Sequence, residues 1–371
     1  MITLRPPAHP SGVRSHNLAL VMSALGGVGA PVAGTSRTAI AARTGLTKAS
    51  VTSLVDELMT CGLLTEDEPT RGARGRPSTT LRVHPDAPAA IGIDLGVNTI
   101  TAVRTDLAGL VLAEHRLEAH GRTRTVSDVV DGIAAAWRAV VPAGSEVAGT
   151  AIAVPGVIDR DGTVLRAPNL PSLSGVNLPA MVAARLGLEA ADVLADNDAN
   201  LAALATLAAG TAGRDFVHVS GEVGVGAGVV IDGQLFRGAG GLAGEIGHVP
   251  VDADGRPCGC GGRGCLEQYA GQEHLGTGPE RVAAGRALGI ALSALVNVLD
   301  VHTVVLGGVY AEVFDDLAPA VREELARRVV ASERRDLVVQ CSTIRIDAGA
   351  IGAAAMVVRD ALASGRLWRT T

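Results

Sequence analysis

A chain of 371 residues exceeds the length of one ordinary compact domain, so two or three folding units are expected. Hydrophobic residues make up 47% and charged residues 19% of the chain, which excludes an intrinsically disordered protein. The net charge of −6 hides an asymmetry, because residues 1–85 hold nine basic and five acidic residues and the remainder is acidic. A basic end fits a module that binds a polyanion, although ordinary scatter of surface charge explains it equally well.

The sequence predicts neither a targeting signal nor a membrane-spanning segment. Residues 1–10 have no apolar run before a small-residue cleavage site, and nowhere do about 18 apolar residues follow one another. The sequence therefore predicts a cytoplasmic protein without a membrane partner. Three of the five cysteines fall within eight residues. Because the cytosol keeps thiols reduced, this clustering favours a metal site over disulfides.

The first elements along the chain have helical spacing. Apolar residues at i, i+3, i+4 and i+7 predict a helix over 15–25. Ser36 is the predicted N-cap of a short helix that stops at Gly45, and Thr47 caps a third helix that runs to about Cys61. Two short helices joined by a tight turn form the helix-turn-helix pattern, whose second helix can enter a DNA major groove. Its outer face carries the candidate contacts to bases or phosphates: Lys48, Ala49, Thr52 and Ser53.

An Arg- and Gly-rich segment precedes the apolar alternation of Leu81 and Val83. Alone, such a segment is typical of a flexible linker. Directly after a helix-turn-helix pattern it predicts a β-hairpin wing, whose arginines can follow phosphates or enter a narrow minor groove: Arg71, Arg74 and Arg76. Residues 1–85 are therefore predicted to form a winged helix-turn-helix domain, α-helical with a β wing, that binds double-stranded DNA.

From Ala89 onward, strand and helix patterns are mixed, which predicts an α/β domain. The predicted strands cover residues 91–95, 101–103, 148–154, 193–194, 216–220, 226–231 and 304–306. The predicted helices cover residues 126–140, 178–186, 199–209, 281–299 and 318–331.

The strongest local signal is one histidine followed by three closely spaced cysteines: His248, Cys258, Cys260 and Cys265. An imidazole and three thiolates supply the four ligands of a closed tetrahedral zinc site, and the intervening glycines let a short loop turn around one ion. No ligand position is left for water, so the predicted Zn²⁺ is structural. The alternative is a set of unrelated buried or free cysteines.

Carboxylates flank this cluster, because Glu245 comes three residues before His248 and Glu267 two residues after Cys265. Paired carboxylates and an amide can accept hydrogen bonds from several sugar hydroxyls at once. A second polar group, residues 196–200, stands where a strand ends and a helix begins, a usual place for a ligand in an α/β sheet. Its simpler interpretation is a helix N-cap.

Several motifs together resemble those of the ROK family of repressors, open reading frames and sugar kinases: Asp94-Leu-Gly96, Asn197-Asp198-Ala-Asn200, Glu245-Ile-Gly-His248, the cysteine run to Glu267, and Val305-Leu-Gly-Gly308. The resemblance covers nearly the whole chain, winged helix included. It implies an actin-like ATPase or sugar-kinase fold of two lobes with a sugar between them. The first lobe would comprise residues 86–200 and the C-terminal helix 346–371, and the second residues 201–345 with the zinc motif.

The resemblance also implies roles for individual residues. Zinc would be held by the histidine and the three cysteines already named. The sugar would be bound by Asn197, Asp198, Glu245, His248 and Glu267. In the kinases of the family, the aspartate that matches Asp198 takes the proton from the sugar hydroxyl that attacks ATP. This role suits a carboxylate within hydrogen-bond reach of a bound hydroxyl.

Two departures from the kinase pattern concern the phosphate loops. The first turn of the kinases reads Asp-x-Gly-Gly-Thr, whereas this chain has Val97 where the backbone must approach phosphate closely. In the second loop, Glu222 sets a negative charge near a polyphosphate. These departures predict retained sugar binding without phosphoryl transfer, hence no enzyme. A sugar kinase with an N-terminal appendage is the alternative, and a zinc hydrolase is excluded because the zinc has no open position.

The resulting hypothesis is a sugar-responsive transcriptional regulator, a repressor of carbohydrate metabolism. Its expected partners are double-stranded operator DNA and a monosaccharide or sugar-phosphate effector. Because two-fold operators match two-fold dimers, a homodimer or tetramer is expected. For the sugar to act, it must bind the DNA-competent and DNA-incompetent states with different affinities.

Overall fold

The computed structural model describes residues 10–26, 34–67, 79–119, 121–221, 223–330, 332–334, 336–344 and 347–368. Four residues to which the sequence assigns a role, Arg71, Arg74, Arg76 and Glu222, lie outside these ranges. Within them, the chain forms a small N-terminal unit followed by two five-stranded sheets with their covering helices.

The N-terminal unit consists of three helices and a hairpin: α1 (Pro10–Ser23), α2 (Arg37–Thr44), α3 (Lys48–Thr60), β1 (Leu64–Glu66) and β2 (Leu81–Val83). The side chain of Ser36 accepts a hydrogen bond from the N–H of Ala39, and that of Thr47 accepts one from the N–H of Ser50. Between the two caps the chain turns at Gly45, whose φ of 73° favours glycine. The strands β1 and β2 pair antiparallel. The predicted caps, turn and paired wing strands are confirmed.

The next part of the chain contributes β3 (Ala89–Leu95), β4 (Thr99–Thr105), β5 (Val111–Glu118), α4 (Val126–Val140), β6 (Val147–Val154), β7 (Val157–Ile158), β8 (Thr163–Arg166), β9 (Val176–Asn177), α5 (Leu178–Leu186), β10 (Val193–Asn197) and α6 (Asp198–Ala209). Five of these strands form the first sheet, in the order β5-β4-β3-β6-β10. Strands β3, β4 and β5 are antiparallel neighbours, whereas β6 is parallel to β3 and to β10. The short strands β7, β8 and β9 form a small separate sheet.

The rest of the chain contributes β11 (Phe216–Gly221), β12 (Val225–Ile231), β13 (Gln234–Leu235), α7 (Glu267–Ala270), α8 (Pro279–Leu299), β14 (Thr303–Gly308), α9 (Val309–Glu312), α10 (Phe314–Arg328), β15 (Val338–Cys341) and α11 (Ala348–Ser364). The strands form the second sheet, in the order β13-β12-β11-β14-β15. Here too the first three strands are antiparallel and the last two run parallel to the first. Both sheets therefore share one topology, as an actin-like sugar-kinase fold requires, and the predicted fold class is confirmed.

Burial explains why the central strands form where they do. Seven of the eight residues of β6 are buried, because helices cover both faces of the first sheet at its centre. On one face, α4 buries Val129, Val130 and Ile133 at helical spacing. This helix begins with a capping box in which Thr125 and Asp128 satisfy each other's backbone N–H groups.

Helices α6 and α11 lie between the two sheets. Helix α11 packs on β3 and β6 of the first sheet, and α6 packs on β11 and β12 of the second and on α11 itself. A Cβ atom at Gly352 would overlap the backbone carbonyl of Leu201, so only glycine lets the two helices approach this closely. The small-residue run of α11 that begins at Gly352 is therefore explained by helix packing.

Helix α8 is the one helix in the described part of the chain that is long and apolar enough to cross a membrane by length and composition. Half of the most apolar stretch of this helix is buried inside the protein. Helices in the core of soluble proteins often have the same length and composition. The helix buries Leu288, Leu292 and Val296.

His218 on β11 is a buried titratable group between the second sheet and α6. Its side chain is 0% exposed, and its Nδ1 atom lies 2.9 Å from the hydroxyl of Thr206. Its Nε2 atom has no hydrogen-bond partner among the described residues. Burial lowers the pKa of His218 from 6.5 to about 4, so the folded protein holds this imidazole neutral at pH 7.

The lowered pKa of His218 makes the protein sensitive to acid. Below pH 6.5 the unfolded chain binds a proton at this residue, whereas the folded chain does so only near pH 4. We expect His218 to lower the free energy of unfolding by about 3 kcal/mol between pH 7 and pH 4. Urea titrations at both pH values should show a smaller acid loss in His218→Gln. The exposed His115→Gln should match the wild type, and an equal loss in both variants would refute this assignment.

Candidate functional site

A cleft of about 560 Å³ opens between the two lobes of the α/β domain. Its walls include Val97 and Arg122 from the first half of the domain and Ser220 and Gln268 from the second. All five predicted sugar ligands line it: Asn197, Asp198, Glu245, His248 and Glu267. The structure therefore brings the whole set to one cavity, and their role as sugar ligands remains a prediction.

The junction of β10 and α6 supplies two of these residues. Asn197 is the N-cap of α6, because its Oδ1 accepts hydrogen bonds from the N–H groups of Ala199 at 3.0 Å and Asn200 at 3.2 Å. Its Nδ2 donates to the carbonyl of Gly156 at 3.0 Å, so one N–H of the amide remains for a ligand. The capping interpretation is thus confirmed for Asn197. Asp198 follows as the first residue of the helix, where the helix dipole stabilises a carboxylate.

The other lobe supplies two carboxylates to the cleft. Glu245 directly precedes the single 3₁₀ turn Ile246–His248, and Glu267 begins α7. Partial burial of its carboxyl group raises the pKa of Glu245, the nearby His248 opposes this rise, and the charge of Glu267 adds to it. A Cβ atom at Gly224 would lie 2.9 Å from Oε2 of Glu267, so glycine at this position leaves space for the Glu267 carboxylate.

The histidine and the three cysteines of the predicted metal site converge on one point. Their ligand atoms all lie within 4.8 Å of one another. Nδ1 of His248 is 3.7 Å from Sγ of Cys258, and Sγ of Cys260 is 3.7 Å from Sγ of Cys265. Tetrahedral zinc with bonds of about 2.0–2.3 Å separates its ligands by roughly 3.5–3.8 Å. The donor set and its spacing therefore fit a four-coordinate metal ion.

In this chain, side chains contact the two segments that correspond to the phosphate-binding turns of the family's kinases, at Gly96 and at Gly221. Val97 lines the cleft, and Nη2 of the buried Arg124 donates to the carbonyls of Gly96 at 2.6 Å and Val97 at 3.1 Å. On the opposite side, the ring of Tyr310 lies against Gly221. The Tyr310 hydroxyl donates to the carbonyl of Ala270 at 2.8 Å.

The candidate nucleic-acid contacts lie on the outer face of α3. The residues predicted to contact DNA on this helix are all exposed: Lys48, Ala49, Thr52 and Ser53. The opposite face of α3 is buried through Val51, Leu54, Val55 and Leu58. Arg37 of α2 pairs with Asp56 of α3 and with Glu66 of β1, which fixes the three elements together. The helix is thus held by its inner face, and its outer face is exposed; contact of this face with DNA remains a prediction.

Sequence reasoning missed an ion pair, beside the cleft, between the buried Asp196 and the partly exposed Arg237. The side chain of Asp196 accepts hydrogen bonds from Nδ2 of Asn200 at 2.9 Å, from the N–H of Asn197 at 2.8 Å and from Nε and Nη2 of Arg237. Arg237 begins the segment that leads to Glu245. The pair therefore connects the strand end that carries Asn197 with the segment that carries Glu245. The acidic cluster was visible in the sequence, but a partner 41 residues away was not.

The fold and the cleft define a two-lobed sugar-kinase domain joined to a helix-turn-helix unit. A model of the ROK family matches residues 90–278 and 279–360, which contain both sheets and every residue of the cleft described above. The chain belongs to the ROK family. A model of the IclR helix-turn-helix domain matches residues 21–68, which include α2, α3 and β1.

Curated relatives fall into two groups. The chain is 31% identical over 373 residues to the putative xylose repressor of Caldicellulosiruptor sp. (strain Rt8B.4), with 88% of this chain and 92% of the relative covered. It is 28% identical over 352 residues to the xylose repressor of Bacillus subtilis (strain 168), with 87% and 91% covered. A shorter similarity, 34% over 210 residues, relates it to the glucokinase of Streptomyces coelicolor, covering 54% of this chain and 64% of the relative.

Solved structures show the same division. A ROK family transcriptional regulator, described as a homologue of the E. coli MLC protein, superposes with a TM-score of 0.74 over 96% of this chain and 98% of its own, at 23% identity. A ROK family glucokinase from Streptomyces griseus, solved with glucose and AMPPNP, superposes with a TM-score of 0.62 over 72% of this chain and 98% of its own, at 28% identity. The regulator shares the fold of nearly the whole chain, and the kinase that of the two-lobed domain.

Proposed function

We propose that this protein is a sugar-responsive transcriptional repressor of carbohydrate metabolism. The observation that carries the proposal is an exposed recognition helix on the same chain as a cleft lined by all five predicted sugar ligands. Relatives that align over most of this chain are named xylose repressors. D-xylose is accordingly the first effector to test.

The cleft offers complementary hydrogen-bonding groups to a sugar. The carboxylates of Asp198, Glu245 and Glu267 accept hydrogen bonds from hydroxyls, and bonds to charged acceptors are stronger than neutral ones. Because Nδ1 of His248 faces the cysteines, Nε2 is the atom that can donate to a hydroxyl oxygen. Arg122 also lines the cleft and would balance the charge of a sugar phosphate. The effector is a monosaccharide or its phosphate.

We assign the metal as Zn²⁺ with a structural role. Four protein ligands fill a tetrahedral shell, so the ion would supply no bound water and no open position for chemistry. His248 and Cys260, two of the four, line the cleft together with Glu267. Zinc would therefore hold this wall of the cleft in the geometry that the sugar recognises.

The absence of kinase activity is part of the proposal. Val97 places a β-branched side chain in the first phosphate turn, where the backbone must approach phosphate closely. Asp198 in the cleft favours the second candidate function, an ATP-dependent sugar kinase, because it could serve as the general base. Turnover of ATP decides between the two.

We also propose how the protein binds DNA, how it assembles and where it acts. The outer face of α3, with Lys48 and Thr52, binds operator DNA, and the wing arginines at 71, 74 and 76 add phosphate or minor-groove contacts. Residues 86–200 with 346–371 form one lobe and residues 201–345 the other, and α6 packs against α11 where the two lobes meet. The protein acts in the cytoplasm as a homodimer or tetramer, since paired helices match a two-fold operator.

Calorimetric titration with the sugars that relatives are named for tests this function. D-xylose, D-glucose and N-acetyl-D-mannosamine, the last for an N-acetylmannosamine kinase of Citrobacter koseri that is 35% identical over 199 residues, are the sugars tested. Each is titrated into the wild type, Glu267→Gln and the exposed edge-strand control Glu118→Gln. One sugar should bind, Glu267→Gln should weaken it about tenfold or more through loss of a charged acceptor, and Glu118→Gln should match the wild type. Sugar-dependent release of ADP from ATP would instead support the kinase.

A further inference from the structure

Helix α6 reaches from the cleft to the DNA-binding unit. Asp198 and Ala199, at its N-terminal end, line the cleft. Leu204, Leu207 and Ala208, toward its other end, line a second cavity of about 70 Å³. A helix of 12 residues is about 18 Å long, so one rigid element spans both places.

The second cavity lies where α6 and α11 meet α1, the first helix of the DNA-binding unit, and α1 also contacts α11 directly. Met22, Ser23 and Gly26 line it from the side of α1, and Val358 and Leu362 from α11. We refer to this contact as the α1 junction. Elsewhere along α1, the indole N–H of Trp368 lies 3.4 Å from the hydroxyl of Ser15.

Helix α1 is firmly attached to the recognition helix. Arg14 pairs with Glu57 of α3 at 2.5 Å, and Nη1 of Arg43 in α2 donates to the carbonyl of Ala24 at 2.7 Å. A single cluster of buried apolar residues runs from the inner face of α3 through α1 to Leu201 and Leu204 of α6 and on into α11. A displacement of α1 therefore carries α3 with it.

The junction is less completely packed than the helix pair behind it. Helices α6 and α11 are in backbone contact at Leu201 and Gly352, so they shift as one body. Between them and α1 a cavity remains, and the hydroxyl of Thr105 on its wall is 1% exposed with no hydrogen-bond partner among the described residues. Well-packed interiors contain few voids of this kind, so the junction can close or open at low cost.

We propose that α6, with α11 attached, shifts when sugar binds in the cleft and transmits this shift to α1. The packing of the α1 junction then sets how strongly the affinity for DNA responds to sugar. The inference rests on the proposed function. A sugar that binds Asp198 on the first turn of α6 favours one position of the helix, and the other end of the same helix presents Leu207 and Ala208 to α1. The coupling requires no contact between sugar and the DNA-binding unit.

Two variants alter the junction and leave both binding sites intact. Leu207→Ala removes an α6 side chain from the cavity wall, and Ser23→Leu fills the cavity from α1. Met181→Ala, an exposed position of α5, is the matched control. Operator affinity is measured by fluorescence anisotropy on the full chain, without sugar and with saturating D-xylose, D-glucose or N-acetyl-D-mannosamine. Sugar affinity of every variant is measured by calorimetry.

The factor by which sugar changes operator affinity should be at least about fivefold smaller in Leu207→Ala and in Ser23→Leu than in the wild type. Their sugar affinity should stay within about twofold of the wild type, and Met181→Ala should change neither quantity. If sugar changes the operator affinity of the two junction variants as much as that of the wild type, this inference is wrong, whereas the proposed function stands. A wild type whose operator binding responds to none of the sugars would overturn the proposed function and this inference with it.

Discussion

Replacement of Asp196 by alanine is expected to lower the free energy of unfolding by about 3 kcal/mol. Asp196 is 7% exposed and accepts hydrogen bonds from Arg237, Asn200 and the N–H of Asn197. Removal of the carboxylate leaves a guanidinium and an amide without their acceptor, which is costly in a buried place. The expected loss is at the lower end of the range for buried pairs because Arg237 is 37% exposed.

Urea titration at pH 7 measures this loss, and a surface ion pair provides the matched control. Asp131 pairs with Arg185 at 2.6 Å, but the two side chains are 52% and 47% exposed. Asp131→Ala should therefore cost less than about 1 kcal/mol. We also expect Asp196→Ala to weaken sugar binding, because Arg237 begins the segment that leads to Glu245. Equal losses of stability in the two variants would show that the Asp196 pair contributes no more than a surface bridge.

Loss of the metal is expected to have the second large effect. The four ligand atoms converge within 4.8 Å, and the loop between them contributes few buried apolar side chains, so the Zn²⁺ that we propose would contribute much of its order. Cys265→Ser should abolish zinc binding and reduce sugar affinity at least about tenfold, because His248 and Glu267 lose their fixed positions. The apolar cluster that includes the inner face of α3 contains no residue of this loop, so operator binding without sugar should persist.

Metal content by atomic emission, beside calorimetric titration of sugar, tests this expectation. The wild type should contain one zinc per chain and Cys265→Ser should contain none. Cys61→Ser is the matched control, since Cys61 lies in the N-terminal unit and apart from the cluster. A wild type stripped of metal by chelation that binds sugar with unchanged affinity would contradict the structural role of the ion.

Features set by neighbouring residues could be predicted from the sequence. Short polar side chains directly before helical patterns predict that Ser36 and Thr47 cap helices, and both caps form as predicted. The spacing of His248 and the cysteines limits them to one short loop, and their ligand atoms do converge. Local chemistry is sufficient in these cases because each partner lies within a few residues of the next.

Features set by distant partners could not be predicted. The helix expected over 318–331 runs instead from Phe314 to Arg328, with Pro319 in its interior, because Leu317 and Ala318 are buried against α8 and packing outweighs the cost of the proline. The exposed edge strand β5 has no apolar alternation and was not predicted. The Asp196–Arg237 pair and the α1 junction join segments that only the folded chain brings together.

Binding of the purified protein to the DNA upstream of its own gene, followed by fluorescence anisotropy at fixed salt, tests the central claim most directly. We predict specific binding, an affinity that D-xylose or one of the other two sugars changes at least about fivefold, and weaker binding with a smaller salt dependence in Lys48→Ala. The absence of specific binding, or an affinity that no sugar alters, would contradict the assignment of this protein as a sugar-responsive repressor.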